Sequence, residues 1–191
     1  MDFDYKPLEV REFDEGRDWE ILMRMAYHEL KTTFNTETIN DFRNYLKKIL
    51  PNKIKGFVLE EEVIKGAYIF CEAKESFHRH LESCDKCLNS FKKNFDDHVG
   101  YFPGPSDLHE LITVSSPRDK NVINILTQRV LDYADERDAL VITESWPGDN
   151  GFLNKINTEL GFIEIADMPH NYPDGSTATI MVKIPTLRPL W

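Results

Sequence analysis

The chain has 191 residues, of which 33 are Asp or Glu and 23 are Lys or Arg, giving a formal net charge of −10. This length fits a single domain, residues 1–191, with a core large enough to fold without disulfides, and the acidic balance argues against a nucleic-acid partner. No run of roughly 18–20 apolar residues could form a membrane helix, and the amino terminus has no secretory pattern. The number of cysteines is odd, which argues against a secreted disulfide framework. We therefore expect a cytoplasmic protein that binds no membrane.

The first part of the chain predicts a strand, two helices and a hairpin. The stretch LEVREF alternates apolar and polar residues as a strand does. Apolar residues recur at helical spacing over residues 19–30 and 39–49, and the second helix follows the capping residues Asn35 and Thr36. The stretches KGFVLEEE and VIKGAYIFCEA are rich in β-branched and aromatic residues, which indicates an antiparallel hairpin.

Residues 74–106 are polar and end in the turn-forming YFPGPS, which is typical of an insertion. The second half predicts a strand at LHELITV, a helix over about 121–138, a strand at ALVITES, a helix at NGFLNKINTEL and two last strands at FIEIA and TATIMVKI. Strand–helix–strand units of this length favour neighbouring parallel strands. The whole pattern predicts an α/β protein with a mixed sheet and helices on both faces.

Residues 150–162, NGFLNKINTELGF, hold the most specific motif. Gly161 follows the helix end, where a left-handed cap costs least, and Phe162 begins the next strand. A simple helix cap explains these two residues but not Asn150 and Asn157, which lie seven apart on one helical face. The stretch resembles the last motif of the GNAT superfamily of acyl-CoA-dependent N-acyltransferases, in the branch whose helix reads N-x-x-M-x-x-I-N-x-x-L-G-F, with Leu153 in the Met position.

The resemblance extends over nearly the whole chain except residues 74–106. It implies a GNAT-like fold with a mixed, mostly antiparallel central sheet, helices on both faces and a largely helical insertion between the third and fourth strands. It also implies transfer of an acetyl group from acetyl-CoA to a primary amine of a small molecule or protein.

The cosubstrate loop of the family has a counterpart here in SSPRDKNVINIL, with a departure. Arg118 takes the first position of the family pattern, whereas Asn121 and Ile123 stand where glycines are expected. If Ile123 points away from the ligand with helical backbone angles, the peptide nitrogens can still hold a diphosphate; if its side chain fills the phosphate site, the cosubstrate is lost. The implied cosubstrate-binding residues are Val114, Arg118, Asn121, Val122, Ile123, Asn124, Asn150 and Asn157.

Acyl transfer to an amine needs a base that takes the amine proton. Glu110 lies on LHELITV with the parity of Leu108, Ile112 and Val114, and the resemblance implies a carboxylate on this strand as the base; the alternative is an exposed strand carboxylate. His109 faces the other way and fits a surface or hydrogen-bonded histidine. Asn157 replaces the Tyr that many relatives use as the acid, so no acid is assigned.

The segment HRHLESCDKC gathers two histidines and two of the three cysteines. On a helix, His80, Cys84 and Cys87 fall at i, i+4 and i+7, so three zinc-type donors line one face. The run resembles the ligand run of zinc-binding anti-sigma domains, and we expect a structural zinc with His98 as fourth ligand, His78 and Cys71 being the alternatives. The competing interpretation is an apolar stripe, from Phe77 to Phe91, that packs the insertion onto the body.

Two functions follow from these patterns. One is an N-acetyltransferase, whose acceptor could be a polyamine, an aminoglycoside or a lysine-bearing protein given the acidic composition. The other is a catalytically inactive binding or regulatory protein of the same fold, whose zinc-stapled insertion contacts a protein partner. A homodimer is compatible with both.

Overall fold

The computed structural model describes residues 8–31, 35–50, 53–75, 77, 85–104, 106–145, 151–168 and 175–186. Within them, seven strands form one sheet in the order β1-β2-β3-β4-β5-β7-β6. All neighbouring strands run antiparallel except β4 and β5, which are parallel. The strands are Glu9–Glu12 (β1), Lys55–Glu60 (β2), Ile64–Glu72 (β3), Leu108–Ser115 (β4), Val141–Ser145 (β5), Ile163–Met168 (β6) and Ala178–Lys183 (β7).

Five α-helices accompany the sheet in the described part of the chain. They are Glu15–Leu30 (α1), Ile39–Ile49 (α2), Asp85–Val99 (α3), Lys120–Asp135 (α4) and Phe152–Glu159 (α5), with a short 3-10 turn at Ala73–Glu75. The predicted α/β class, with a mixed and mostly antiparallel sheet, is confirmed.

The helices cover both faces of the sheet because alternate residues of the strands are apolar on each side. We call the side that carries α1, α2 and α3 the α1 face, and the side that carries α4 and α5 the α4 face. On the α1 face, Ile69 and Ile112 pack against α1 and α2. On the α4 face, Tyr68, Phe70 and Leu108 pack against α4.

The helix starts differ slightly from the prediction. Thr38, rather than Asn35 or Thr36, is the N-cap of α2, and its hydroxyl accepts a hydrogen bond from the Asp41 backbone nitrogen at 3.2 Å. Asp119 caps α4, and its carboxylate accepts from the Asn121 nitrogen at 2.7 Å. Each cap satisfies a backbone donor that the first helical turn leaves unpaired.

Aromatic side chains attach the segment between β3 and β4 to the α1 face. Phe77 is 0% exposed, and its ring lies 6.3 Å from that of Phe91 and 5.9 Å from that of Phe95. These rings join a core cluster that includes Ile142 of β5 and Ile180 of β7. An apolar stripe that packs the insertion onto the body, the competing interpretation of the sequence, predicts this packing for Phe77 and Phe91.

One buried carboxylate fixes the point where β4 begins. Asp107 is 1% exposed; its Oδ1 accepts from the Leu140 nitrogen at 2.7 Å and its Oδ2 from the Gly104 nitrogen at 2.6 Å. The Leu108 nitrogen also donates to the Leu140 carbonyl at 2.8 Å. The starts of β4 and β5 are therefore tied together.

A second buried carboxylate joins α1 to β1. Asp18 is 0% exposed and accepts two hydrogen bonds from the Arg11 guanidinium at 2.6 and 2.7 Å, while Arg11 Nε donates to Glu60 at 2.6 Å. Burial alone would raise the pKa of Asp18, but the hydrogen bonds from Arg11 and from the Asp14 backbone nitrogen, together with the charges of Arg11 and Arg17, lower it. The network anchors α1 against the sheet at its amino end.

Candidate active site between two diverging strands

β4 and β5 pair at one end only. Their register contains two residue pairs, Leu108 with Val141 and His109 with Ile142. Residues 110–115 of β4 remain paired to β3, and residues 143–145 of β5 remain paired to β7, but the two stretches are not paired with each other. A gap with unpaired peptide edges therefore opens in the middle of the described sheet, and peptide groups that lack a partner are a binding surface for another amide chain.

A β-bulge sits at the start of this gap. Glu110 is opposite Phe70 and Ile112 is opposite Ile69, so Leu111 is an extra residue in β4. The extra residue reverses the alternation that the sequence predicts: Glu110 shares the α4 face with Leu108, whereas Ile112 belongs to the opposite face. The prediction that Glu110 has the parity of Ile112 and Val114 is wrong for this reason.

Glu110 lies in a polar group on the α4 face of the gap. Tyr68 Oη donates to Glu110 Oε2 at 3.3 Å, and Thr113 and Thr143 lie on the same face. Burial raises the pKa of Glu110 above its usual value, although the neighbouring hydroxyls and the charge of His109 favour the ionised form. Burial and the Glu110 charge raise the pKa of Tyr68 well above its usual value. A carboxyl group in such surroundings can exchange a proton closer to neutral pH than an exposed one.

Helix α5 covers the polar cluster formed by Glu110, Tyr68, Thr113 and Thr143. Asn157 is 5% exposed, and its Nδ2 donates to Thr143 Oγ1 at 3.2 Å, while the Ser145 hydroxyl contacts the Asn154 side chain. The two asparagines thus attach α5 to β5 at the edge of the gap. Asn150, the other asparagine of the motif, lies outside the described residues.

The α1 face of the gap carries a histidine and a glutamate. His109 Nε2 lies 3.0 Å from Glu144 Oε1, and their side chains are 7% and 16% exposed. Cys71 is opposite His109 in the β3–β4 register, and the Phe77 ring lies 5.4 Å from the imidazole. Burial alone would lower the pKa of His109, but the Glu144 charge and hydrogen bonds with Cys71 and Glu144 raise it to about 9.

The loop between β4 and α4 brings Arg118 to the start of α5. The Arg118 guanidinium lies 4.5 Å from the centroid of the Phe152 ring. The Asp119 nitrogen donates to Ser115 Oγ at 2.8 Å, and the Asp119 carboxylate, as N-cap, lies beside the first amides of the helix. Arg118 and the helix amino terminus favour an anion here, while Asp119 opposes it.

Ile123 does not fill this loop. Its side chain is 2% exposed and lies among the buried residues of α4, and its backbone φ is not positive. Val114 is 0% exposed on the α1 face, Val122 packs against the core cluster of the α4 face, and Asn121 is exposed. Asn124 Oδ1 is buried without a hydrogen-bond partner among the described residues.

A cavity of about 340 Å³ lies between α1 and residues 115–118. Arg24 and His28 line it from α1 and Arg118 from the loop. Glu29 also lines it, and its carboxylate accepts from the Ser115 nitrogen at 3.3 Å. The cavity adjoins the open end of the gap, where β4 terminates.

The predicted zinc ligands are only partly within the described structure. His80 and Cys84 lie outside the described residues, and the side chain of Cys87 does too. His98 is exposed on α3, with Nδ1 2.8 Å from the Asn94 carbonyl oxygen. No group of three or more His, Cys, Asp or Glu within the described residues could hold a metal ion. The alternative ligand Cys71 lies beside His109 in the sheet.

Sequence reasoning did not find the His109–Glu144 pair. It placed His109 correctly on the face opposite Glu110, but the pairing with Glu144 depends on the register of β4 against β5, which no local pattern encodes. Asp119 was also missed as an N-cap, although an Asp one residue before a helical pattern is a capping signal.

No protein-family profile matches the chain, and no curated protein sequence matches it. Solved structures do share its fold. An acetyltransferase from Salmonella typhimurium, described with its cofactor acetyl-CoA, is 16% identical with a TM-score of 0.61, and the match covers 96% of each chain. A ribosomal-protein-alanine N-acetyltransferase from Brucella melitensis is 15% identical with a TM-score of 0.60, covering 93% of this chain and 99% of the other.

A spermidine/spermine N-acetyltransferase from Vibrio cholerae is 14% identical with a TM-score of 0.56, covering 93% of this chain and 95% of the other. The chain therefore has the fold of N-acetyltransferase structures over nearly its full length. Separately, the described part of the chain contains no helix long and apolar enough to cross a membrane.

Proposed function

We propose that this protein is an N-acetyltransferase that moves an acetyl group from acetyl-CoA to a primary amine. The observation that carries the proposal is the gap between β4 and β5, which is flanked by a carboxylate on each face. The unpaired peptide edges of the gap suit the amide-containing arm of acetyl-CoA, and a structure of the same fold is described with acetyl-CoA.

The cosubstrate would bind through the loop after β4 and the start of α4. Because the Ile123 side chain is in the core, it leaves the loop open, and Arg118 supplies a positive charge at the helix amino terminus. The predicted set of Val114, Arg118, Asn121, Val122, Ile123, Asn124, Asn150 and Asn157 stays a proposal.

Glu110 is the proposed proton-transfer residue on the α4 face. Its raised pKa lets it act as the general base that the sequence predicts or, once protonated, as the donor to the departing thiolate. Glu110→Gln keeps the shape of the side chain and removes this exchange. We expect about a hundredfold loss of turnover, with acetyl-CoA binding retained.

Acetyl-CoA binding is the direct test of the proposal. A thermal unfolding experiment with acetyl-CoA at a hundred times its dissociation constant should show a stabilisation of roughly 2.7 kcal/mol. Arg118→Ala should weaken this response, whereas Arg43→Ala, an arginine of α2 paired with Glu20, should leave it unchanged. Absence of any shift at millimolar acetyl-CoA would refute the acetyltransferase.

The second candidate is a catalytically inactive binding protein, and Asp119 is the observation that favours it. Its carboxylate accepts the hydrogen bond of the Asn121 backbone nitrogen at the helix start. A diphosphate bound there would need the same nitrogen as a donor. The same thermal experiment separates the two candidates. A protein partner for residues 74–106, a homodimer and a cytoplasmic location remain predictions in either case.

We also propose a structural zinc site in residues 74–106, with His80, Cys84, Cys87 and His98 as ligands. The proposal rests on the spacing of the sequence and on the exposure of His98 on α3. Elemental analysis of purified protein should find about one zinc per chain, which Cys84→Ser should abolish. Metal-free protein that keeps its fold and resists chelators would leave the apolar packing of Phe77 and Phe91 as the full explanation of the segment.

A further inference from the structure

The cavity between the second half of α1 and residues 115–118 differs in charge from the rest of the molecule. Arg24 and His28 line it from α1 and Arg118 lines it from the loop, while Glu29 is the one carboxylate among its described lining residues. With His28 counted as neutral, two arginines and one glutamate give the lining a net charge of +1, whereas the whole chain carries −10. The cavity is therefore a cationic site in an acidic protein.

The cavity lies at the edge of the gap between β4 and β5. The Ser116 nitrogen donates to the Lys65 carbonyl of β3 at 2.8 Å. Because successive peptide N–H groups of a strand point to opposite sides, the Ser115 nitrogen points away from β3 and toward the gap. There it donates to the Glu29 carboxylate of α1 at 3.3 Å. Helix α1 thus reaches the open edge of β4 at the place where the cavity forms.

The cavity is on the side of the sheet from which an acceptor would approach. The amino terminus of α4 and Asn157 of α5, which are proposed to hold the cosubstrate, belong to the α4 face. The acceptor is therefore left with the α1 face. The gap runs along β4 from Glu110 to Ser115, which is about 16 Å at about 3.3 Å per residue. A second group of the acceptor within this distance of its amine can occupy the cavity.

Arg24 and His28 are placed to bind an anion together. They are four residues apart on α1, so their side chains project from the same face of the helix. Arg24 Nε lies 3.6 Å from Glu20 Oε1, with side chains that are 69% and 53% exposed, and Arg43 holds the same carboxylate at 2.6 Å. An exposed contact as long as that of Arg24 contributes little, so an incoming anion can bind the Arg24 guanidinium at small cost.

We infer that the acceptor carries a carboxylate as well as a primary amine, and that Arg24 and His28 bind this carboxylate in the cavity while the amine reaches the gap. The inference rests on the proposed acetyltransferase function and specifies its acceptor class. A guanidinium binds a carboxylate through charge-assisted hydrogen bonds, and an imidazole nitrogen supplies a further donor. Met25, which is 8% exposed, adds an apolar wall for the carbon chain beside the carboxylate. An amino acid and an acidic side chain of a peptide share this chemistry.

The test measures CoA thiol release from acetyl-CoA with acceptors that differ in one carboxylate. The first set contains peptides with a free amino-terminal alanine, glycine spacers, an amidated carboxyl terminus and glutamate at the second, third, fourth or fifth position, each compared with its glutamine counterpart. The second set compares 6-aminohexanoate with its amide. In at least one pair, kcat/KM of the wild type should be about tenfold higher for the carboxylate. The set that shows the preference identifies the acceptor as a peptide or a small molecule.

Variants of α1 test the assignment to the cavity. Arg24→Gln should abolish the preference by raising KM for the carboxylate acceptor, while kcat and the thermal shift with acetyl-CoA stay unchanged. Arg24→Glu should reverse the preference in favour of a lysine peptide of the same spacing, which a structural defect would not cause. His28→Ala should reduce the preference. Arg17→Gln, at an exposed arginine about two turns earlier on α1 that pairs with Glu60, is the matched control and should behave as wild type.

The outcomes separate the two levels of the argument. If the wild type acetylates these amines without preferring a carboxylate at any spacing, or if Arg24→Gln keeps the preference, the inference is wrong and the acetyltransferase stands. If Arg24→Gln instead weakens the thermal response to acetyl-CoA, the cavity serves the cosubstrate and the inference is again wrong. If the wild type shows neither stabilisation by acetyl-CoA nor thiol release with any acceptor, the proposed function fails and the inference fails with it.

Discussion

Replacing His109 should remove a large part of the pH dependence of stability. The pKa of this histidine is about 9 in the folded protein and 6.5 in the reference state, so the folded protein binds the proton more tightly. A raised pKa contributes stability that is fully present below about pH 6.5 and is lost as the pH rises through about 9. At about 1.4 kcal/mol per pKa unit, the contribution is about 3 kcal/mol.

The measurement is urea unfolding followed by tryptophan fluorescence between about pH 6 and pH 10. The wild type should lose about 3 kcal/mol of unfolding free energy between about pH 6.5 and 9.5, and His109→Gln should lose far less over that interval. His28→Gln, at an exposed histidine of α1, is the control and should keep the wild-type slope. A flat wild-type profile, or an equal slope in His109→Gln, would refute the charged pair inside the sheet.

Two substitutions test the packing that positions the gap, both by urea unfolding. Asp18→Ala should cost about 3 kcal/mol, because it leaves the Arg11 guanidinium partly buried without its main partner; a loss below about 1 kcal/mol would show that the pair has little net value. Gly66→Ala should be strongly destabilising, because the new Cβ would lie 2.5 Å from Val122 Cγ1. Gly104→Ala is the control and should be nearly neutral, because the atom nearest to a Cβ there is 3.7 Å away. Equal effects of the two alanines would contradict the close approach of β3 to α4.

The order and type of the elements could be predicted because hydrophobic period and turn chemistry are local properties. Residues 39–49 form a helix as their apolar spacing predicts, and the stretch around Gly161 ends a helix with φ at +82°. The cap at Thr38 was missed because Asn35 and Thr36 have equally good capping side chains. The choice between them depends on where the chain leaves α1.

The candidate site was less predictable because its residues come together only through the register between neighbouring strands. The alternation in LHELITV is consistent with a regular strand, and nothing in it reveals that Leu111 bulges and moves Glu110 to the face opposite Ile112. The contact between His109 and Glu144 joins positions 35 apart in sequence and arises only because β4 and β5 are parallel neighbours. For Ile123 the sequence left two placements open, and the structure has its side chain buried in the core.

The separation of β4 from β5 divides the sheet into two leaves, β1–β4 and β5–β7, joined by backbone pairing at two positions. A ligand arm lying in the opening would form hydrogen bonds to both leaves at once and act as a missing strand. Occupancy would then connect the two leaves along the length over which their strands are not paired.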